Sequence, residues 1–213
     1  MLFRTSHAAA AMVACVAIAR AEPPALEPNR QLTPLDAYVA APDASRDWEI
    51  VSKTRRGHAT ELVVRLTSQT WRTADEVSTP VWRHLLTIVA PDDAIGTTAL
   101  LYITGGSHSD EPDAASGMLR RVAIGTKTIA ASLRNVPGQP QRVMGSDEPD
   151  RVRYEDDLLA ASWNRFIATE DPTWIAQFAM AKAGVAAMDA VQSVVATVEG
   201  APRVERFTVA GAS

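Results

Sequence analysis

The residue with the sharpest chemical promise is the last one. Ser213 follows Gly211 and Ala212, directly after Arg206-Phe207-Thr208-Val209-Ala210, a run of buried-strand character. A serine held on a tight turn from strand to helix can act as a nucleophile. Its neighbours must be small, because larger side chains would collide in the strained turn. A helix after the turn presents free N–H groups, which help to hold an oxyanion. Only the first half of a G-x-S-x-G elbow is present, and strands ending in Gly-x-Ser also occur without any catalytic role. Position favours the catalytic reading, since Ser213 follows the third strand of parallel type.

A second feature complements the first. Gly105-Gly106-Ser107-His108 comes directly after a strand ending at Thr104. In an α/β-hydrolase the other oxyanion N–H comes from such a glycine-rich loop. Glycines let the backbone approach a substrate carbonyl without side-chain interference. An ordinary flexible loop at a strand end is the competing reading. No G-x-G-x-x-G or Walker spacing accompanies these glycines, so no nucleotide cofactor is expected.

Other reactive side chains carry less. His108, Asp110, Glu111 and Asp113 have ligand chemistry, but they read better as a solvated loop leading into a helix, and no metal is expected. His58 and His84 lie in strand or turn positions and read as structural or surface residues. In α/β-hydrolases the acid and histidine follow the serine in chain order, so neither is a convincing base for Ser213. The tryptophans at 48, 71, 82, 163 and 174 read as packing residues.

The elements that must position these residues follow from periodicity. Residues 48–52 and 60–68 are rich in β-branched residues and flank Arg56-Gly57, which makes them two strands. A third strand over residues 83–89 stops at Pro91-Asp92-Asp93, and the three form an antiparallel meander. Residues 98–104 are a continuous apolar run, expected to be buried on both faces. A short helix over 114–124 is expected to turn Met118, Leu119 and Val122 inward and to close at Gly125. A strand over 128–133 and a long polar loop over 137–149 come next. The helix over 154–167 places Leu158, Leu159, Ser162, Trp163 and Phe166 on one face. A longer helix over 180–198 should be capped by Gly200 before Pro202. The expected class is α/β: an incomplete α/β-hydrolase-type fold, with N-terminal antiparallel strands followed by parallel strand-helix units.

Bulk properties set the setting. A chain of 213 residues suits one core, and a net charge of -4 gives no reason to expect nucleic acid as a partner. The pairs Arg55-Arg56 and Arg120-Arg121 read as a turn and a solvated helix face. Residues 1–21 have the form of a signal peptide: Arg4, then an apolar stretch over 8–18, then Ala19-Arg20-Ala21 at the cleavage position. Export to the periplasm or the exterior is therefore expected. The apolar stretch is shorter than the ~20 residues of a membrane span, and no other segment is expected to qualify. The single cysteine, Cys15, would leave with the signal peptide. Residues 22–47 then form an extended, proline-rich N-terminal segment with one helical turn near 33–39, and residues 48–213 form the hydrolase-like domain.

Several blocks resemble the PhoP/PhoQ-activated pathogenicity-related protein family. They include Leu66-Thr67-Ser68-Gln69-Thr70-Trp71-Arg72, Trp82-Arg83-His84 with Leu86-Thr87-Ile88-Val89, and Ala99-Leu100-Leu101-Tyr102-Ile103 with Gly105-Gly106-Ser107. Val136-Pro137-Gly138-Gln139-Pro140, Ala186-Ala187-Met188-Asp189-Ala190-Val191 and Phe207-Thr208-Val209-Ala210-Gly211-Ala212-Ser213 extend the similarity over residues 35–213. The resemblance implies secreted or periplasmic proteins with an α/β-hydrolase-like fold, some of them extracellular signalling factors. Members continue well past the position of Ser213. The 213-residue chain by itself is accordingly expected to be poorly soluble and inactive. The intact form is expected to act on a small-molecule or peptide substrate through Ser213 and the Gly105-Gly106 loop. A scaffold for binding or signalling with degenerate catalysis is the alternative.

Overall fold

The computed structural model describes residues 31–107 and 115–212. The expected signal peptide, residues 22–30 of the expected extended segment, His108, Asp110, Glu111, Asp113 and Ser213 lie outside the described residues. From Leu32 onward the chain forms one compact unit.

Helix α1 (Pro34–Ala40) forms where the sequence supplies a start signal: Thr33 and Asp36 cap each other's backbone, and Pro34 occupies the first turn. Strands β1 (Asp47–Arg56), β2 (Ala59–Thr70) and β3 (Val81–Pro91) form the expected antiparallel meander. Strand β4 (Thr98–Thr104), helix α2 (Gly117–Thr126) and strand β5 (Ala130–Leu133) make the first parallel unit. Helices α3 (Glu155–Thr169) and α4 (Ala176–Val195) then lead to strand β6 (Arg206–Ala212), which runs parallel to β4. The strand order is β1-β2-β3-β5-β4-β6. The α/β class holds, with antiparallel strands first and parallel strand-helix units after them.

Strand alternation sorts the core into two faces. On one face Leu62, Leu86, Ile88, Leu101, Ala131 and Leu133 pack beneath Ala187, Ala190, Val191 and Val194 of α4. On the other, Val89 and Ala130 meet Leu119 and Ala123 of α2. A third cluster joins Trp71, Trp82 and Trp174 to Leu158 of α3 and Ala179 of α4. Helix α4 is long and apolar enough by length and composition to cross a membrane, an exception to the expectation that no such segment follows the leader. Its buried stripe packs on the sheet as a core helix. Its first N–H is held by a neighbour rather than by its own cap residue: the Ala176 N–H donates to Ser162 Oγ of α3 at 3.2 Å.

Several finer expectations are corrected. Strand β4 is not buried throughout: Ala99 and Leu101 are buried, whereas Leu100 and Tyr102 on the α2 side are half-buried. Helix α2 turns Leu119 and Ala123 inward and leaves Met118 exposed, because i and i+4 share a face. It ends at Lys127, which adopts the left-handed conformation and donates its N–H to Ala123, rather than at Gly125. Helix α4 starts earlier and ends earlier than its sequence pattern, so Gly200 sits in a later turn. Trp48 and Trp163 are exposed, and α3 buries Leu158, Ala161 and Ser162 instead of its full apolar stripe. Strand β6 is an exposed edge, with Val209 53% accessible. Arg120 is not merely solvated, since with Arg56 it pairs with the buried carboxylate of Glu61.

The largest correction concerns the segment after β5. The polar loop expected over 137–149 is solvent-facing only in its second half, where 144–149 are exposed or half-buried: Gln139 and Gln141, with the preceding Asn135 and Val136, are nearly inaccessible. Their polar groups are buried because they are hydrogen-bonded to the chain around them, as buried polar groups must be.

Candidate functional site

In a parallel sheet, ligands bind outside the carboxyl ends of the strands, where successive crossovers diverge. Strands β5 and β6 flank β4 on opposite sides. The crossover from β4 to β5 carries α2 on one face, and that from β5 to β6 carries α4 on the other. The divergence therefore falls at the carboxyl end of β4, directly before Gly105.

A pocket of about 330 Å³ opens there, lined by Ile103, Thr104, Gly105, Val136, Pro137, Glu155, Asp156, Leu159, Met180 and Gly211. Gly105 and Gly211, from the two glycine features that the sequence marks, thus share one cavity. The register explains why both are close. Ile103 pairs with Gly211 and Thr104 with Ala212, so β6 and β4 run out side by side. Ala212, the last described residue before Ser213, is level with the residue that precedes Gly105. Gly211 has to be small: a Cβ on it would lie 2.9 Å from the Ile103 carbonyl oxygen.

The Gly105-Gly106 loop is held from behind. The Val136 N–H donates to the Thr104 carbonyl at 3.2 Å, and the Asn135 N–H to the Gly105 carbonyl at 3.2 Å. The Gln139 Nε2 donates to the Gly106 carbonyl at 2.5 Å. Gly106 has φ +126°, a conformation that side chains disfavour. Three successive carbonyls are thereby tied to one segment. The carbonyl acceptors of the loop are thus already engaged.

Glu155 borders the same loop. Its Oε1 lies 2.7 Å from where a Cβ of Gly105 would stand, so only glycine leaves room for that side-chain position. Glu155 has φ +40°, and its N–H donates to Gln139 Oε1 at 2.7 Å. Among the described residues, Glu155 and Asp156 are the only charged ones that line the pocket, whose walls are otherwise mainly aliphatic. Sequence reasoning missed Gln139 and Glu155. The two-residue glycine motif drew attention to the strand end, and nothing local marks residues about thirty and fifty positions later.

The histidines stand elsewhere. The His84 Nε2 and Ser68 Oγ are 2.9 Å apart, both fully enclosed between β2 and β3, with the Arg134 carbonyl 3.2 Å from His84 Nδ1. This serine-histidine pair resembles a catalytic dyad in distance alone, because no substrate can reach it. His58 lies at the turn between β1 and β2. Among the described residues, no three histidine, cysteine, aspartate or glutamate side chains converge as metal ligands.

The fold and its carboxyl-end pocket define an α/β protein with a glycine-bordered cavity at the topological switch of its sheet. The chain belongs to the PhoPQ-activated pathogenicity-related protein family, whose model matches residues 35–213. It is 35% identical over 184 residues to autocrine proliferation repressor protein A of Dictyostelium discoideum. That alignment covers 85% of this chain and 36% of the relative, so the chain spans about a third of that relative's length. Among solved structures it is similar to a protein assigned as an acetyl xylan esterase from Bacteroides fragilis, with TM-score 0.46 and 15% identity over 84% of this chain and 45% of that one. Acetyl xylan esterase 1 from Thermoanaerobacterium gives TM-score 0.39 and 14% identity, over 84% and 50%.

Proposed function

We propose that this chain carries the nucleophile-bearing part of an exported serine hydrolase that cleaves an ester or amide. The supporting observation is the shared cavity of Gly105 and Gly211, which brings a donor loop beside the strand end that leads to Ser213. In the reaction Ser213 Oγ forms a bond to the substrate carbonyl carbon, and the oxyanion accepts hydrogen bonds from the Gly105-Gly106 loop. The bond to the leaving alcohol or amine then breaks, the serine proton passes to that group, and water releases the acyl chain. The base that relays the proton comes from outside the described residues. Aliphatic walls with two carboxylates suit a neutral or cationic acyl group and disfavour an anionic one.

A binding or signalling role on the same scaffold is the second reading. It is favoured by the absence of any histidine among the described pocket residues. A fluorophosphonate probe applied to the intact protein separates the two. Covalent labelling of Ser213 supports the hydrolase, and an unlabelled, folded protein refutes it.

A further inference from the structure

Gln139 is a side chain with two engagements, one to the glycine loop and one to Glu155, which lines the pocket. It is 3% exposed and sits on the segment that follows β5. Its Nε2 donates to the Gly106 carbonyl at 2.5 Å, while its Oε1 accepts from the Glu155 N–H at 2.7 Å. Its own N–H donates to Asn135 Oδ1 at 3.3 Å, and the Asn135 N–H holds the Gly105 carbonyl. One buried amide therefore joins the glycine loop to the first residue of α3.

This arrangement has a directional consequence. A loop of two glycines has broad conformational freedom, and its N–H groups would ordinarily point in many directions. Fixing the Gly105 and Gly106 carbonyls constrains the planes that carry the Gly106 and Ser107 N–H groups, since each plane holds a carbonyl and the next N–H in opposite directions. We propose that Gln139 is a positioning residue: through the Gly106 carbonyl it sets the direction of the Ser107 N–H, at the end of the Gly105-Gly106 loop, before substrate arrives. The role rests on the hydrolase reading above. It touches no reacting atom and acts only through the loop.

Preorganised donors matter because they need no rearrangement as charge develops. Losing one such donor slows reactions by about 10²–10³-fold. Gln139→Met preserves size and removes both side-chain hydrogen bonds. In the intact protein, its maximal rate of fluorophosphonate labelling should fall by roughly 10²-fold, with the concentration for half-maximal rate unchanged. The order parameter of the Ser107 amide should fall from about 0.85 toward 0.6. Gln139→Glu keeps the acceptor for Glu155 and regains a donor only when protonated. Its rate relative to wild type should therefore rise as pH falls, which a merely structural defect would not produce. Labelling of the Met variant within threefold of wild type overturns the positioning role and leaves the hydrolase intact. If Gln139→Met does not fold, a pH-independent ratio for Gln139→Glu overturns it in the same way. A folded wild-type protein that takes no label overturns the hydrolase reading and, with it, this role.

Discussion

Gly138→Ala should be among the most damaging single-methyl additions in the chain. A Cβ at this position would stand 2.5, 2.6 and 2.7 Å from three ring atoms of Trp82. Ordinary carbon contacts lie near 3.5–4.0 Å, so about 1 Å must be found somewhere. The ring cannot supply it cheaply. Trp82 is 1% exposed and packs edge-on against Trp71, with centroids 5.6 Å apart, and against His84 at 6.3 Å. The backbone cannot easily supply it either, because the Gly138 carbonyl accepts from Gln141 Nε2 at 2.9 Å and the next residue is Gln139. Overpacking of a filled core costs about 1–3 kcal/mol, and a rigid indole places this site at the upper end, about 3 kcal/mol. Gly125→Ala is the matched control. It sits in α2 with nothing within 4 Å of the added methyl, so helix propensity alone should stabilise by up to about 1 kcal/mol. Urea unfolding of the intact protein measures both, as shifts of midpoint at constant slope. A Gly138→Ala midpoint equal to wild type would refute the packing argument.

Further outcomes test separate links. Ser68→Ala removes the buried hydrogen bond to His84 and should cost about 1–2 kcal/mol in the same assay while leaving Ser213 labelling unchanged. Hydrogen bonding from Arg72 holds the Glu76 carboxyl below its ordinary value of 4.5. That contribution is complete above the unfolded value and is lost as pH falls through the lower folded one. Stability should therefore drop on acidification below about pH 4.5, and less steeply in Arg72→Met, as read by thermal melts across pH. Glu155→Gln should raise the rate for an anionic acyl ester relative to a neutral one by roughly fivefold, since two charges about 4 Å apart in a water-like dielectric interact by ~1 kcal/mol. An unchanged ratio between a succinyl and a butyryl ester would show that Glu155 does not face the acyl group.

The elements were legible where periodicity was strong. The meander, the apolar run of β4 and the helical turn near 33–39 each carry a local signal, and each element formed at or near its expected place. Faces were less legible than elements. In α3, Leu158 and Ser162 of the expected inward stripe are buried and Phe166 packs against the core, yet Trp163 is exposed and Ala161 is buried in its place. In α2 the capping role passed from Gly125 to Lys127, whose left-handed conformation sequence disfavours. The site was half legible. Gly105 and Gly211 were visible as strand-end glycines, whereas their convergence depends on β6 pairing with β4 across a gap of about a hundred residues. Gln139 was hidden in a stretch of polar and proline residues that composition assigns to a solvated loop. Its burial comes from tertiary hydrogen bonds, which no local pattern encodes.

The alanine stripe of α4 sets how this core can be interrogated. Ala186, Ala187 and Ala190 are buried against the sheet beside Val191 and Val194, and Ala179 and Ala183 are buried in the tryptophan cluster. Alanine scanning would register the valines but pass over these five positions without a signal, since there is no side chain to truncate. The informative experiment is enlargement: Ala187→Leu would force the helix off the sheet, whereas the same change at the exposed Ala168 would cost little. A mutational map built only from deletions would leave the alanine positions of this buried stripe unread.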